Sequence, residues 1–298
     1  MKKETGSERD DATPDNDRYA LVTGATSGIG YELAKNLARD GYNLILVARK
    51  RKQLNKVAQE FSEYGITVTP IAKDLFRPEA AMEIYEQTRK MGIAVSVLVN
   101  DAGQGEYGKF IETDLDRQLD IIKLNIESLV SLTYLYLKEM VGRNEGKILQ
   151  LGSEVSKVPS PLMSVYAASK AFVLSFTEAL VNELQDTPVT MTLLMPGATD
   201  TAFFNKANME ESKVYREDKL ESPVDVADAA YKGMMDGERR VVAANAKMNV
   251  GMAALTPDNV NANKNRKQME PSKKDERKTR HNPSHDKSRE EKESMTGQ

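Results

Sequence analysis

Short apolar runs alternate with amphipathic stretches along most of this chain. Tyr19-Ala-Leu-Val-Thr23 is an apolar run that stops at a glycine, the pattern of a parallel strand buried on both faces. Beyond it, Leu33, Ala34 and Leu37 stand at helical spacing between Tyr31 and Asp40, and Gly41 follows as a helix-closing glycine. Asn43 to Ala48 reads as a second strand, Leu54 to Tyr64 as a helix and Ile66 to Ile71 as a third strand. Pro78 to Met91 is helical with proline near its first turn, and Val95 to Val99 is the fourth strand. Leu115 to Val141 forms one long helix, with Leu119, Ile122, Ile126, Leu129 and Leu132 covering one face. Gly146 to Gly152 is the fifth strand, Val165 to Leu184 a helix and Val189 to Met195 the sixth strand. Ala198 to Leu220 is long and irregular, as a lid over a pocket would be. A helix from Pro223 to Met235 and an edge strand from Arg240 to Ala243 complete the alternation. The expected fold class is α/β: a doubly wound parallel sheet of about seven strands with helices on both faces.

Composition sets the limits of this block. Residues 1–17 are charged or small and polar, so they read as a disordered extension without the apolar core of a signal peptide. From 256 to 298 the chain turns polar again, and the same reading applies to that tail. One domain, residues 18–255, is expected between them. There is no cysteine, which removes disulfides, thiol nucleophiles and zinc thiolate sites and is compatible with a cytoplasmic location. Both histidines, His281 and His285, fall in the tail, so the domain cannot hold a Ser-His-Asp triad, and no metal site is expected. A net charge of −3 argues against nucleic acid as a partner. No apolar run approaches the roughly 20 residues of a membrane span.

Candidate chemistry begins where the first strand ends. Gly24-Ala-Thr26-Ser27-Gly28-Ile29-Gly30 joins that strand to a helix, the arrangement in which backbone approaches a pyrophosphate and helix N-terminal amides meet its charge. Dinucleotide folds that use NAD place an acid near the end of the second strand. Here the stretch reads Ala48-Arg49-Lys50-Arg51-Lys52, offering only cations, and a guanidinium at Arg49 would grip a 2′-phosphate. The expected cofactor is therefore NADP(H).

The catalytic candidate is Tyr166-Ala-Ala-Ser-Lys170. On a helix the lysine ammonium can sit beside the phenol, and a nearby cation draws the phenol's pKa of about 10 toward working pH. The bare spacing also occurs at Tyr31/Lys35, Tyr134/Lys138 and Tyr215/Lys219, but only Tyr166 has a hydroxyl, Ser153, thirteen residues upstream. That serine stands at the end of the fifth strand. Asn125 sits in the middle of the long helix, a poor helix residue with no capping task, and by itself reads equally as a buried amide satisfied by backbone.

Several motifs in order, from about Tyr19 to Val242, resemble the short-chain dehydrogenase/reductase family. Thr23-Gly-Ala-Thr-Ser-Gly28-Ile-Gly30 is similar to its cofactor turn, Asn100-Asp-Ala-Gly103 to its Asn-Asn-Ala-Gly motif, and Pro196-Gly197 with Thr201 to its nicotinamide loop. The resemblance implies a Rossmann-type fold and assigns roles. Tyr166 would be the general acid/base, and Ser153 would hold the carbonyl oxygen. Lys170 would bind ribose hydroxyls and lower the Tyr166 pKa, while Asn125 would hold a relay water. Asp74 would meet the adenine, and Thr201 the carboxamide. It further implies a small carbonyl or alcohol substrate and a homodimer or homotetramer formed through the long helices. Asp101 and Gln150-Leu-Gly152 depart from the usual motifs. A non-catalytic NADP-binding sensor or scaffold is the alternative that the fold alone permits. Tyr107, Pro161, Met163, Phe203 and Phe204 suggest an apolar substrate pocket, or equally lid-to-core packing.

Overall fold

The structure, a computed structural model, describes residues 18–247, 250–251 and 256–272. The expected extension at 1–17 and the tail beyond 272, with both histidines, lie outside them. Seven strands form one sheet in the order β3-β2-β1-β4-β5-β6-β7, every pairing parallel. The strands are β1 (Tyr19–Thr23), β2 (Asn43–Ala48), β3 (Val68–Ala72), β4 (Val95–Asn100), β5 (Lys147–Leu151), β6 (Thr190–Met195) and β7 (Arg240–Val242). Their apolar runs exist because both faces are covered. On one face α1 (Gly28–Arg39), α2 (Arg51–Ser62) and α9 (Pro223–Met235) bury Leu33, Leu37, Leu54, Phe61 and Ala230 against Leu44, Leu46 and Val99. On the other, α3 (Ala80–Lys90) and α5 (Ser128–Arg143) bury Ile84, Leu132, Tyr136 and Met140 against Leu21, Ile45 and Leu98, and α6 (Ser164–Glu183) flanks them.

Several elements differ from expectation in ways that bear on the site. The long helix is three pieces end to end: α4 (Leu115–Ile122), a π-turn at Lys123–Glu127, and α5. Asn125 lies in the π-turn, where the wider winding accommodates a buried side chain that bonds elsewhere. The Ala198–Leu220 stretch is not irregular throughout, since it contains α7 (Phe203–Lys206) and α8 (Lys213–Glu217). Helix α1 ends at Arg39, and Gly41 takes the left-handed conformation (φ +78°) just past it, as expected. The largest correction concerns residues 256–272. Instead of an unstructured tail they include a helix, α10 (Asp258–Met269). Its hydrophobic positions do not form a face, and only Asn261 is fully buried. Hydropathy could not reveal a helix held by polar bonds at its ends.

The order of strands reverses between β1 and β4. Open α/β sheets bind ligands in the crevice beyond the carboxyl ends of strands at such a point. Thr23, the last residue of β1, keeps the crevice open. Its hydroxyl donates to the Val99 carbonyl and accepts the amides of Asp101 and Ala102 (3.2, 3.1 and 3.0 Å). The backbone after β4 is thereby turned away from the sheet.

Candidate active site

Ser153, Tyr166 and Lys170 meet in this crevice, in a cleft of about 1100 Å³ counting its open mouth. The same cleft is lined by Gly24, Ser27, Gly28, Ile29, Asp101, Pro196, Gly197 and Thr201. Strand β5 delivers Ser153, whose side chain caps a short turn at Glu154–Lys157 by accepting the Val155 amide at 3.3 Å. Helix α6 delivers Tyr166 and Lys170 from one face.

The glycine turn is packed too closely for any side chain at Gly28 or Gly30. Gly28 has φ +64°, and a methyl there would meet Thr201 at 3.0 Å. A methyl on Gly30 would lie 2.4 Å from the Asp101 carboxylate and 2.9 Å from the Gly24 carbonyl. Ser27, the N-cap of α1, makes no side-chain cap bond, and of the first amides of that helix the one of Gly30 is taken by the Asp101 carboxylate. Thr26 is half-buried within the turn.

Lys170 is buried and donates to the Leu151 carbonyl at 2.7 Å. Its ammonium stands 5.8 Å from the Tyr166 ring centre. Burial pushes the lysine down to about 8, opposed by the Asp101 carboxylate. The expectation that Lys170 depresses the phenol is not met here. Burial pushes Tyr166 up to about 12, with a Ser153 hydrogen bond pulling it back and Glu154 adding to the rise. The cation is committed to Leu151 and Asp101, so desolvation dominates at the phenol. Phe203 contributes to that burial, its ring centre 5.1 Å from that of Tyr166.

Asn125 is fully satisfied by protein. Its amide donates to the Gln104 carbonyl and the Ser169 hydroxyl and its oxygen accepts the Gln104 N–H, each at 3.0 Å. It thus clamps the loop after Gly103 to α6. A methyl on Gly103 would touch Asn125 and Lys170 alike at 3.5 Å, so the two side chains flank one glycine.

Six candidates are not part of the cleft lining: Thr26, Gly30 and Asn125, which pack beside it, and Asn100, Arg49 and Asp74. The Asn100 side chain turns beneath it, donating to Thr133 (3.1 Å) and Gln150 (3.0 Å). Gln150, one of the unusual residues before the serine, also donates to Thr133 at 2.8 Å and completes this buried triad. Arg49 and Asp74 converge on Phe76 instead. The Arg49 guanidinium stacks 4.7 Å from its ring centre, and the Asp74 carboxylate accepts its amide at 3.3 Å.

Other residues in the cleft were not foreseen. Asp101 is buried against the glycine turn, and burial pushes it up to about 7 despite Lys170, Lys206 and the Gly30 amide. The sequence shows its departure from the motif, but not the neighbours that the fold brings to it. Of the suggested apolar pocket, Met163, Phe203 and Phe204 line the cleft, Tyr107 packs behind them, and Pro161 does not contribute. Met209, Val214 and Met269 join them from later in the chain. A lone methionine in a polar run carries no sequence signal for such a place.

The profile of the family described as short chain dehydrogenase matches residues 18–212. The chain is 38% identical over 187 residues to a very-long-chain 3-oxoacyl-CoA reductase of Anas platyrhynchos, covering 60% of this chain and 58% of that protein. It is 36% identical over 188 residues to the 17-beta-hydroxysteroid dehydrogenase type 3 of Rattus norvegicus, covering 62% and 60%. The chain thus spans about three-fifths of the length of these curated relatives. Among solved structures, a short-chain dehydrogenase from Sphingobium yanoikuyae in complex with NADPH superposes with a TM-score of 0.72 at 28% identity, covering 80% of this chain and 93% of that one.

Proposed function

The chain belongs to the short-chain dehydrogenase family, and from that premise we propose an NADP(H)-dependent oxidoreductase that interconverts a ketone or aldehyde with an alcohol. The observation that carries this reading is the convergence of Ser153, Tyr166 and Lys170 on the cleft that the glycine turn opens. Bound NADPH would supply the hydride. Ser153 would hold the substrate oxygen by its hydroxyl, and Tyr166 would release its proton as negative charge develops there. Tyr166 carries its proton in the resting site, since burial pushes the phenol up to about 12. Lys170, 5.8 Å from the ring, would stabilise the phenolate that forms. Asn125 would act by fixing the Gln104 loop and Ser169 beside Lys170. Arg49, exposed at the end of β2, would contact the 2′-phosphate, and Asp74 the adenine.

The substrate is proposed to be apolar. Met163, Phe203, Phe204, Met209 and Val214 face the reacting groups, and they suit the acyl or steroid ketones in the names of the relatives. Homo-oligomer formation is part of the same proposal. Leu115, Leu119 and Ile122 form an exposed stripe along α4, with Phe172 exposed on α6. Among the described residues no helix is long and apolar enough to cross a membrane, and a cytoplasmic location is proposed with it. Nothing observed favours a non-catalytic sensor.

The test is NADPH consumption against a panel of ketones and aldehydes with Tyr166→Phe in parallel. Turnover should vanish in the variant while NADPH still binds. A variant that turns over like the parent would overturn the assignment.

A further inference from the structure

The substrate end of the cleft is bounded by three segments: residues 104–109 after β4, residues 157–163 after Ser153, and residues 207–213, which join α7 to the start of α8. The segment 256–272 is bonded to all of them. The Tyr107 hydroxyl donates to the Met269 carbonyl. Asn265 donates to the Pro159 carbonyl at 2.9 Å. The Lys213 amide donates to the Glu270 carbonyl at 3.0 Å, and the Ser272 amide to the Glu211 carbonyl at 2.7 Å, around a Ser212–Pro271 bridge. Helix α10 is polar and mostly exposed. Its Val260 stays half in solvent, whereas Met269 packs with Met163, Phe204, Met209 and Val214 and lines the cleft. A segment with so little to bury gains little from docking its own surface, yet these four hydrogen bonds hold one apolar side chain over the pocket.

We propose that residues 256–272 form a strap across the substrate pocket and that Met269 is its end wall, setting the length of apolar ketone admitted. This rests on the reductase reading for the identity of the ligand, but not for the wall itself. A long unbranched ketone must displace the thioether, while a short one need not reach it. The methionine side chain, flexible and polarizable, would yield by degrees.

The test uses the full chain with NADPH and straight-chain methyl ketones from 2-butanone to 2-tetradecanone. Met269→Ala should raise kcat/KM for the longest ketones by about tenfold relative to the shortest, and Met269→Trp should lower it by a similar factor. A merely structural strap would give both variants the same loss on every ketone, and that result, or an unchanged length profile, would overturn the proposal. Because the chain contains no tryptophan, Met269→Trp also provides a single tryptophan inside the pocket, excited at about 295 nm apart from the tyrosines. Saturable, length-dependent change of its emission by the ketones would support the wall even if no ketone is turned over, in which case the reductase reading fails alone. An emission unaffected by every ketone would place position 269 outside the ligand's reach and sink the proposal.

Discussion

The Lys170 ammonium donates to the carbonyl of Leu151 at 2.7 Å, two residues before Ser153. The cation of the helix is therefore latched to the strand that presents the serine. Lys170→Met would leave the Leu151 carbonyl and the buried Asp101 carboxylate without their cation. An unsatisfied buried group costs about 1–3 kcal/mol. Urea unfolding at neutral pH should show Lys170→Met less stable by that order, while Tyr166→Phe stays close to the parent. Both should lose turnover. Equal stability of the two variants would contradict the latch.

Asp101 makes the protein sensitive to pH. Its native carboxyl holds a proton up to about 7 against a usual 3.8, so between those values the folded chain binds more protons than the unfolded one. Stability from this group therefore falls as pH rises through that window. Lys170 acts in the opposite sense higher up. Its native form loses the proton near 8 rather than 10.5, so its contribution rises with pH between them. An anion in the glycine turn favours the protonated form of Asp101, so NADPH should bind with proton uptake and weaken as pH passes about 7. Calorimetry in two buffers of different ionisation enthalpy would measure that proton. In Asp101→Asn both the uptake and the slope should disappear; a persisting slope would assign it elsewhere.

What could be read from the chain divides along physical lines. The seven strands were legible because parallel strands covered on both faces must be continuously apolar, as Leu44 to Val47 and Leu193 to Met195 are. Tyr166, Lys170 and Ser153 were legible because their spacing survives on helix and strand. The π-turn at Asn125 was visible only as a misplaced amide, since winding depends on where that amide bonds. The Asn100 triad and the Met269 wall were not legible at all. Both depend on partners brought together from distant strands and loops, and neither alters local periodicity.

Arg49 is stacked on Phe76 with its charge exposed at the end of β2. If it contacts the 2′-phosphate, Arg49→Glu replaces an attraction with a repulsion for NADPH alone. A difference of about 2 kcal/mol would weaken NADPH roughly thirtyfold and leave NADH nearly unchanged. Fluorescence titration of both cofactors would decide, and equal losses would remove Arg49 from that role.

Two glycine substitutions should have opposite signs. Gly142 lies in α5 with open space around its Cβ direction, so Gly142→Ala should stabilise by roughly 0.5–1 kcal/mol. Gly30→Ala drives a methyl into the Asp101 carboxylate and the Gly24 carbonyl. Loss of about 1–3 kcal/mol, with weakened NADPH binding, is expected. Thermal melts with and without NADPH would show both effects; a neutral Gly30→Ala would mean that the turn is looser than its contacts imply.

The Thr133 hydroxyl accepts from both Asn100 and Gln150 beneath the cleft, at 3.1 and 2.8 Å. Thr133→Val keeps the shape of the side chain but leaves two buried amides short of an acceptor. Thr133→Ser keeps the acceptor and removes one methyl. If the triad is what holds the ends of β4 and β5 together, the valine should cost about 1–3 kcal/mol. The serine should cost only about 1 kcal/mol. The reverse order in urea unfolding would mean that packing at Thr133, rather than its hydroxyl, secures the strands from which Asp101 and Ser153 emerge.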